Sequence, residues 1–517
     1  MINSSMEDTL LLLTLLLPFL LLAYKFWPQT RTQQHSLPPS PPALPIIGHL
    51  HLIKIPLHRS LQSLSNKYGP IISLRLGSRR LIIISSPSAV EECFTKNDIT
   101  LANRPALTVY KYMSYNCTTL ATSSYGDHWR NLRRISAVEV FSSNRLNMFV
   151  GIRRDEIEIF LNKLYRLSRD GFAKVELKPI LMELSLNTIM RMVAGKRYYG
   201  EDVTAKDEGE AKIFREMITE IFEYAGASYL GDYLPILKWI DPRGFLKKVA
   251  SLHVRTDVLL QGLIDEHRGG YKGNIEGRNT MISHLLSLQE SEPENYSDQV
   301  IKGLLLDIIF AGTESTAVTL EWAMSSLLNN PQVLEKAKDE LDIQIGQDNL
   351  MDESDLSKLP YLQNIISETL RLYPAGPLLL PHLSSQECSV GGYLVEPNTM
   401  LLVNAWAIHR DPELWDDAVK FKPERFENFV GQGGINNQVY KLMPFGLGRR
   451  SCPGMGLANR VLGFALGSMI HCFEWKRVSE QEIDMSEGFG LTMPKAEPLQ
   501  AMCKARDAMK MVMFSSL

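Results

Sequence analysis

A mainly α-helical body with a small β side (α+β) follows from three observations. Tyr125 to Phe141, Pro331 to Ile345 and Tyr361 to Leu372 carry apolar residues at helical spacing, and Val300 to Leu328 is a long apolar run with few charges. Ile71 to Leu76 and Leu81 to Ser85 read as a strand pair around a Gly77-Ser78 turn. The chain has 517 residues, 45% of them hydrophobic and 22% charged, which suits one large core. No internal repeat and no clear linker divides the body, so it reads as a single unit despite its length.

The four helical stretches differ in what surrounds them. The first three have one apolar face and pack on a neighbour. The run from Val300 is apolar nearly all round and must be buried on most sides. Its Asp307 and Glu314 are then unusual, because a buried carboxylate is costly unless it is paired or functional.

A formal net charge of -3 gives no basic excess and argues against nucleic-acid binding. The six cysteines, Cys93, Cys117, Cys388, Cys452, Cys472 and Cys503, are far apart and form no C-x-x-C pair. They read as reduced thiols in a reducing compartment. The absence of C-x-x-C-H excludes covalent haem attachment through that motif.

The N-terminus has its own composition. Thr9 to Trp27 is almost entirely apolar, and 19 residues of helix approach the roughly 30 Å hydrocarbon core of a bilayer. Acidic Glu7 and Asp8 precede the run and no small-x-small site follows, which favours an uncleaved anchor over a signal peptide. Phe26 and Trp27 suit an aromatic belt, and Lys25 and Arg31 place the body on the cytosolic side. The expected organisation is a lumenal 1–8, an anchor at 9–27, a basic and proline-rich hinge at 28–48 and a catalytic domain at 49–517. Prolines at 38, 39, 41, 42 and 45 make the hinge a stiff extended spacer.

The chemistry lies near the C-terminus, where Phe445 to Gly454 spells F-x-x-G-x-R-x-C-x-G. The glycines permit a tight loop whose N–H groups can turn toward one sulfur. Those donors and the charge of Arg450 favour thiolate at Cys452. A thiolate axial ligand on haem iron favours O–O cleavage. The plainer alternative is a structural cysteine in a Gly-rich turn.

Several motifs in order then resemble the cytochrome P450 superfamily, over essentially the whole chain after the anchor. They are Trp129-Arg130-Asn131-Leu132-Arg133, Ala311-Gly312-Thr313-Glu314-Ser315-Thr316, Glu368-Thr369-Leu370-Arg371, Pro423-Glu424-Arg425-Phe426 and the cysteine loop. The resemblance implies a mainly helical fold, haem b bound through Cys452, and electrons from NADPH through a separate reductase, with cytochrome b5 as a further donor. It also implies an endoplasmic-reticulum membrane location. It places Trp129 and Arg133, i and i+4 on one helix face, at a haem propionate. His382 and Arg450 are further propionate candidates. Glu368, Arg371 and Arg425 resemble the family's buried ion-pair triad, a scaffold.

In the segment from Ala311, two small residues leave room beside the iron. Glu314 and the next hydroxyl relay protons through water. The family has threonine where this chain has Ser315, and Thr316 lies about 100° further round the helix. Ser315 is therefore the relay candidate and Thr316 the alternative. The competing reading is a hydroxyl bonded back to a helix carbonyl.

Tyr125 to Arg134 and Trp406 to Pro412 resemble plant microsomal members, among them isoflavone hydroxylases and lignan methylenedioxy-bridge synthases. That resemblance draws the substrate pocket from Pro105 to Ser124, Phe214 to Trp239, Ala375 to Leu380 and Phe489 to Met493. Phe310, Ala311, Leu378, Leu379 and Leu491 are its leading members. The expected reaction is O2-dependent hydroxylation or ring closure of a small hydrophobic plant metabolite of phenylpropanoid, flavonoid, lignan or terpenoid type. The alternative is a haem-thiolate carrier, sensor or isomerase that does not activate O2.

Overall fold

The computed structural model describes residues 37–506 and 509, except 201–204, 227–228, 240, 242–243, 270–278 and 428–438. The anchor and the first part of the hinge lie outside the described residues. Eleven helices of nine residues or more lie among the described residues. They are α1 Leu57–Tyr68, α2 Asp127–Ile135, α3 Val150–Ser168, α4 Leu177–Ala194, α5 Ala205–Gly226 and α6 Phe245–Arg268. They continue with α7 Met281–Ser291, α8 Asp298–Asn329, α9 Pro331–Gln344, α10 Pro360–Leu372 and α11 Met455–Cys472.

α8 is the central helix. The Ser297 hydroxyl caps its start by accepting the Val300 N–H at 3.4 Å, and Pro331 begins the next helix just past its end. It is long and apolar enough to cross a bilayer, yet Thr316 to Leu328 are all buried inside the body. α3, α4, α10 and α11 pack on its C-terminal half to form the largest core cluster. A second cluster joins its N-terminal half to α2, α4, α5, α6 and α7.

Among the described residues nine short strands form the β side. A four-stranded sheet runs β1 (Ile71–Leu76), β2 (Arg79–Ile84), β7 (Met400–Val403), β4 (His382–Leu383). A three-stranded sheet runs β3 (Ala173–Glu176), β9 (Gln500–Ala505), β8 (Phe473–Arg477), and β5 (Cys388–Val390) pairs with β6 (Tyr393–Val395). β1 and β2 join antiparallel through Gly77 at φ 57°, whose Cβ would sit 2.1 Å from the Tyr233 carbonyl oxygen. Only glycine admits that approach. The turn thus seats the Leu230–Lys238 segment on the sheet, and Ser78 N–H donates to the same carbonyl at 2.8 Å.

One reading of the chain needs correction. The helix expected to run to Phe141 stays α-helical only to Ile135, and Ser136–Val140 widens into a π turn. The Ser136 hydroxyl donates to the Leu132 carbonyl at 2.8 Å, a side-chain bond of the kind that competes with regular helix. The described part of the proline-rich stretch, expected as a stiff extended spacer, is laid along β1. The Pro39 carbonyl accepts from Ser73 N–H at 2.9 Å, and the Pro41 carbonyl pairs with the buried His49 ring at 2.8 Å.

Candidate active site

The cysteine loop is held from three directions. Cys452 N–H donates to the Phe445 carbonyl at 2.8 Å, closing the turn that Gly446 (φ 67°) and Gly448 (φ 64°) make possible. At Gly448 a Cβ would meet Asp98 Oδ1 at 2.5 Å, and Asp98 accepts the Arg449 N–H at 3.2 Å. Arg133 of α2 donates to the Ser451 carbonyl at 2.7 Å. From below, Met443 N–H donates to His409 Nε2 at 2.9 Å. His409 is buried and neutral, its pKa pushed down to about 3 by burial and by Arg371 and Arg410.

Cys452 is solvent-accessible although α11, which starts at Met455, leads straight into the core. Burial pushes its thiol pKa up, while the Gly454 N–H, the Arg133 charge and the Met455 N–H pull it down. The nearby charge is that of Arg133 and not, as the sequence suggests, Arg450. An accessible sulfur that stays protonated on its own is one that a metal ion, by replacing the proton, would hold as thiolate.

On α8 the same opening appears. Ala311 is exposed and Ser315 partly so in the middle of an otherwise buried helix, whereas Thr316 is 7% exposed and packed. Asp307, Ala311 and Ser315 are spaced four apart and share that open face. Gly312 does not face it. A Cβ at Gly312 would meet Ile189 Cδ1 of α4 at 2.7 Å, so that glycine serves helix packing and Ala311 alone leaves the room expected of both. The Ser315 hydroxyl donates to the Ala311 carbonyl at 2.6 Å, and Thr316 to Gly312 at 3.1 Å. Each keeps its oxygen lone pairs for accepting. Burial pushes the Glu314 carboxyl up, against Thr492 and Lys178. Glu314 and the Thr492 hydroxyl, both buried, lie close enough to interact, which sets Glu314 between α8 and the segment around residue 492.

Three guanidinium groups gather between α2, β4 and the cysteine loop: Arg104, Arg133 and Arg450. Arg450 donates to the carbonyls of Ala102 (2.7 Å), Leu120 (3.2 Å) and Ser123 (2.5 Å), and lies 4.4 Å over the Trp129 ring. Burial, then repulsion from Arg104 and Arg133, lowers its pKa to about 9. Burial lowers Arg104 to about 10. Trp129 donates its indole N–H to Leu120 at 3.2 Å. The His382 ring pairs through Nδ1 with the Leu101 carbonyl at 2.7 Å, and burial and Arg104 hold its pKa well below the usual histidine value. Buried cations that repel one another need an anion, and Asp98 is the carboxylate that opposes their repulsion at Arg450. The donor set fits the two carboxylates of a haem, whose iron the Cys452 sulfur would ligate. Arg104 was missed in the sequence, where it carries no motif.

Around the cavity, Phe310 stacks on Phe222 of α5 with centroids 4.8 Å apart. Leu378 and Leu379 do not share a face. Leu378 packs against the cluster around Leu61, and Leu379, at φ 53°, against that around Ile71. Leu491 is partly buried on the 487–495 hairpin, which is tied to the Ala375 segment by Met493 N–H donating to the Ala375 carbonyl at 3.0 Å.

The triad is complete and buried. Arg371 donates to Glu368 at 2.7 and 2.8 Å, and Arg425 to Glu368 at 3.0 Å. Arg371 also donates to the carbonyl of His409 at 2.5 Å. His409 therefore links the triad to the cysteine loop, a role the Trp406–Pro412 motif did not disclose.

A helical body with an accessible cysteine, a cluster of buried arginines beside it and an exposed Ala311 on the central helix has the features of a haem-thiolate protein. Residues 38–500 match the cytochrome P450 family, and the chain belongs to it. It is 56% identical to "Cytochrome P450 81Q32" of Catharanthus roseus, over 98% of this chain and 99% of that one. It is 55% identical to "Isoflavone 3'-hydroxylase" of Medicago truncatula (92% and 94%) and 52% identical to "(+)-piperitol/(+)-sesamin synthase CYP81Q2" of Sesamum radiatum (94% and 94%). A zebra fish cytochrome P450 solved with progesterone superposes with a TM-score of 0.74 at 25% identity, covering 87% of this chain and 100% of that one. The protein is a haem-thiolate monooxygenase supplied with electrons from NADPH through a reductase.

Proposed function

We propose that this enzyme hydroxylates, or oxidatively closes a ring on, a flat hydrophobic plant metabolite of the isoflavonoid or lignan type, with Cys452 as the haem ligand. The observation that carries the reading is the accessible Cys452 sulfur just before α11 beside a cluster of three arginines whose pKa values burial lowers. The haem, when bound, supplies the site at which O2 is reduced and one oxygen atom passes to substrate. Arg104, Arg133 and Arg450 hold its carboxylates, with Trp129 and His382 as neighbours. Phe310 and Phe222 present an aromatic wall that suits a planar substrate. Glu314, beside Thr492, takes up protons, and the Ser315 hydroxyl passes them on toward the substrate. The relatives named as isoflavone hydroxylase and sesamin synthase support this substrate class.

In the same reading residues 9–27 anchor the chain in the endoplasmic-reticulum membrane and the body faces the cytosol. Arg130 and Arg134 are exposed on the outer stripe of α2, and Arg130 and Arg449 flank the Tyr125 ring at 5.5 and 5.7 Å. With Lys441 they form a basic face for an acidic flavin domain of the reductase, and cytochrome b5 is a second candidate for it.

The test is turnover with a plant reductase on a panel of isoflavones, furofuran lignans and diterpenes. NADPH consumption and product with the first two classes are expected. Binding spectra and NADPH consumption with diterpenes alone would overturn the substrate class. Haem binding without substrate-dependent NADPH use would return the protein to the carriers and sensors.

A further inference from the structure

Trp322 lies on α8 two turns beyond Ser315, and among the described residues it is the largest side chain wholly buried. Its ring stacks on Tyr373, with centroids 4.1 Å apart and planes 6° from parallel, and the Lys495 ammonium lies 4.7 Å over it. Packing alone would ask only for a large ring here. A buried indole N–H is costly unless it finds an acceptor. It finds the Met493 carbonyl at 2.7 Å.

Met493 is held on every side. Its N–H donates to the Ala375 carbonyl at 3.0 Å, its side chain packs with Trp406, Ala407 and Tyr373, and its carbonyl is spent on Trp322. The two residues before it face the site. Thr492 lies against Glu314 of α8, and Leu491 is the pocket candidate of the same hairpin. Further along, Glu321 accepts the Leu499 N–H at 2.8 Å. Glu321 and Trp322 are neighbours on α8, so one turn of that helix fastens the chain at both 493 and 499. A slip at Met493 would carry Thr492 and Leu491 with it, because extended backbone transmits displacement along its length.

We propose that Trp322 is a positioning residue for the reaction, whose indole N–H holds the Met493 carbonyl and so sets where Thr492 meets Glu314 and where Leu491 stands. The proposal rests on the proposed proton path through Glu314 only for its effect on coupling.

Trp322→Phe and Trp322→His separate the donor from the ring. Phenylalanine keeps an aromatic ring against Tyr373 but has no N–H. Histidine fills less space, yet its Nε2 stands as many bonds from Cγ as the indole nitrogen does and can donate. Hydrogen exchange and the peroxide formed per NADPH consumed are measured on the haem-loaded, full-length protein, with a plant reductase and the isoflavone or lignan that the panel above identifies. Exchange at residues 491–495 is expected to quicken about ten-fold in Trp322→Phe, as befits a buried carbonyl left without its donor. Peroxide per NADPH should rise severalfold in the same variant. Trp322→His should lie between wild type and Trp322→Phe in both readouts. A ring that only fills space gives the reverse order, since histidine removes more buried surface. That order, or exchange unchanged in Trp322→Phe, would overturn the proposal. If Trp322→Phe fails to fold, protection at 491–495 retained in Trp322→His supports the proposal and its loss overturns it. Thr492→Val tells the two readings apart. It should raise peroxide by itself, and Trp322→Phe added to it should raise peroxide no further. An additive double variant would count against the pin, whereas a silent Thr492→Val would remove the proton path and leave the exchange order to judge the pin.

Discussion

The Ser315 hydroxyl, on the open side of α8, donates its proton to the Ala311 carbonyl, and the proposed relay requires it to leave that bond. A serine lacks the methyl that restricts a threonine rotamer, so it can leave that bond more readily. Ser315→Ala is therefore expected to raise the peroxide formed per NADPH consumed severalfold, with little change in substrate affinity. Thr316 points into the packed side and Thr316→Ala should have the smaller effect. An uncoupled Thr316→Ala beside a coupled Ser315→Ala would move the relay to Thr316. The cysteine loop and the Ala311–Thr316 segment stand out in the sequence as motifs because each is written in consecutive residues. Arg104 does not, because the cation cluster is assembled from residues 104, 133 and 450, and only folding makes them neighbours.

At the scale of elements, the α10 triad and the 487–495 hairpin carry the site. Glu368 and Arg371 are wholly buried and Arg425 nearly so. Glu368→Ala strands two guanidinium groups and should cost about 3–5 kcal/mol, read as a lowered unfolding midpoint and poor recovery of folded protein. Because Arg371 reaches His409 and His409 reaches Met443, the loss should also loosen the cysteine loop. The hairpin is fastened by Glu487, which accepts from His58 and Arg59 at 2.7 Å and from the Trp406 indole at 2.9 Å. Burial opposes its charge, but His58 and Arg59 outweigh burial and hold its pKa at about 2. The folded value lies below the unfolded one, so its stabilisation is complete above the ordinary glutamate range and is lost as pH falls toward 2. A stability–pH profile of Glu487→Gln should be flatter than wild type between about pH 5 and 2. A parallel profile would remove the clamp. Strand pairing and α8 followed from periodicity, whereas the π turn after Ile135 rests on one hydroxyl that periodicity does not see.

Over the whole molecule, one basic face and one orientation follow from the account. Neutralising Arg130 and Arg134 should raise the reductase concentration needed for half-maximal turnover at low salt, where surface charges act at longest range. An unchanged requirement would remove that docking face. Asn116 and Asn295 head the sequons Asn116-Cys117-Thr118 and Asn295-Tyr296-Ser297, and both are exposed. A cytosolic body leaves them without glycan, and glycan on either in a plant host would reverse the topology. The central claim is that the Cys452 sulfur is the iron ligand on which everything else is arranged. The reduced carbon monoxide spectrum tests it most directly. The wild type should show the long-wavelength band for which the family is named, and Cys452→Ala should lose it. A variant that retained that band would contradict the account.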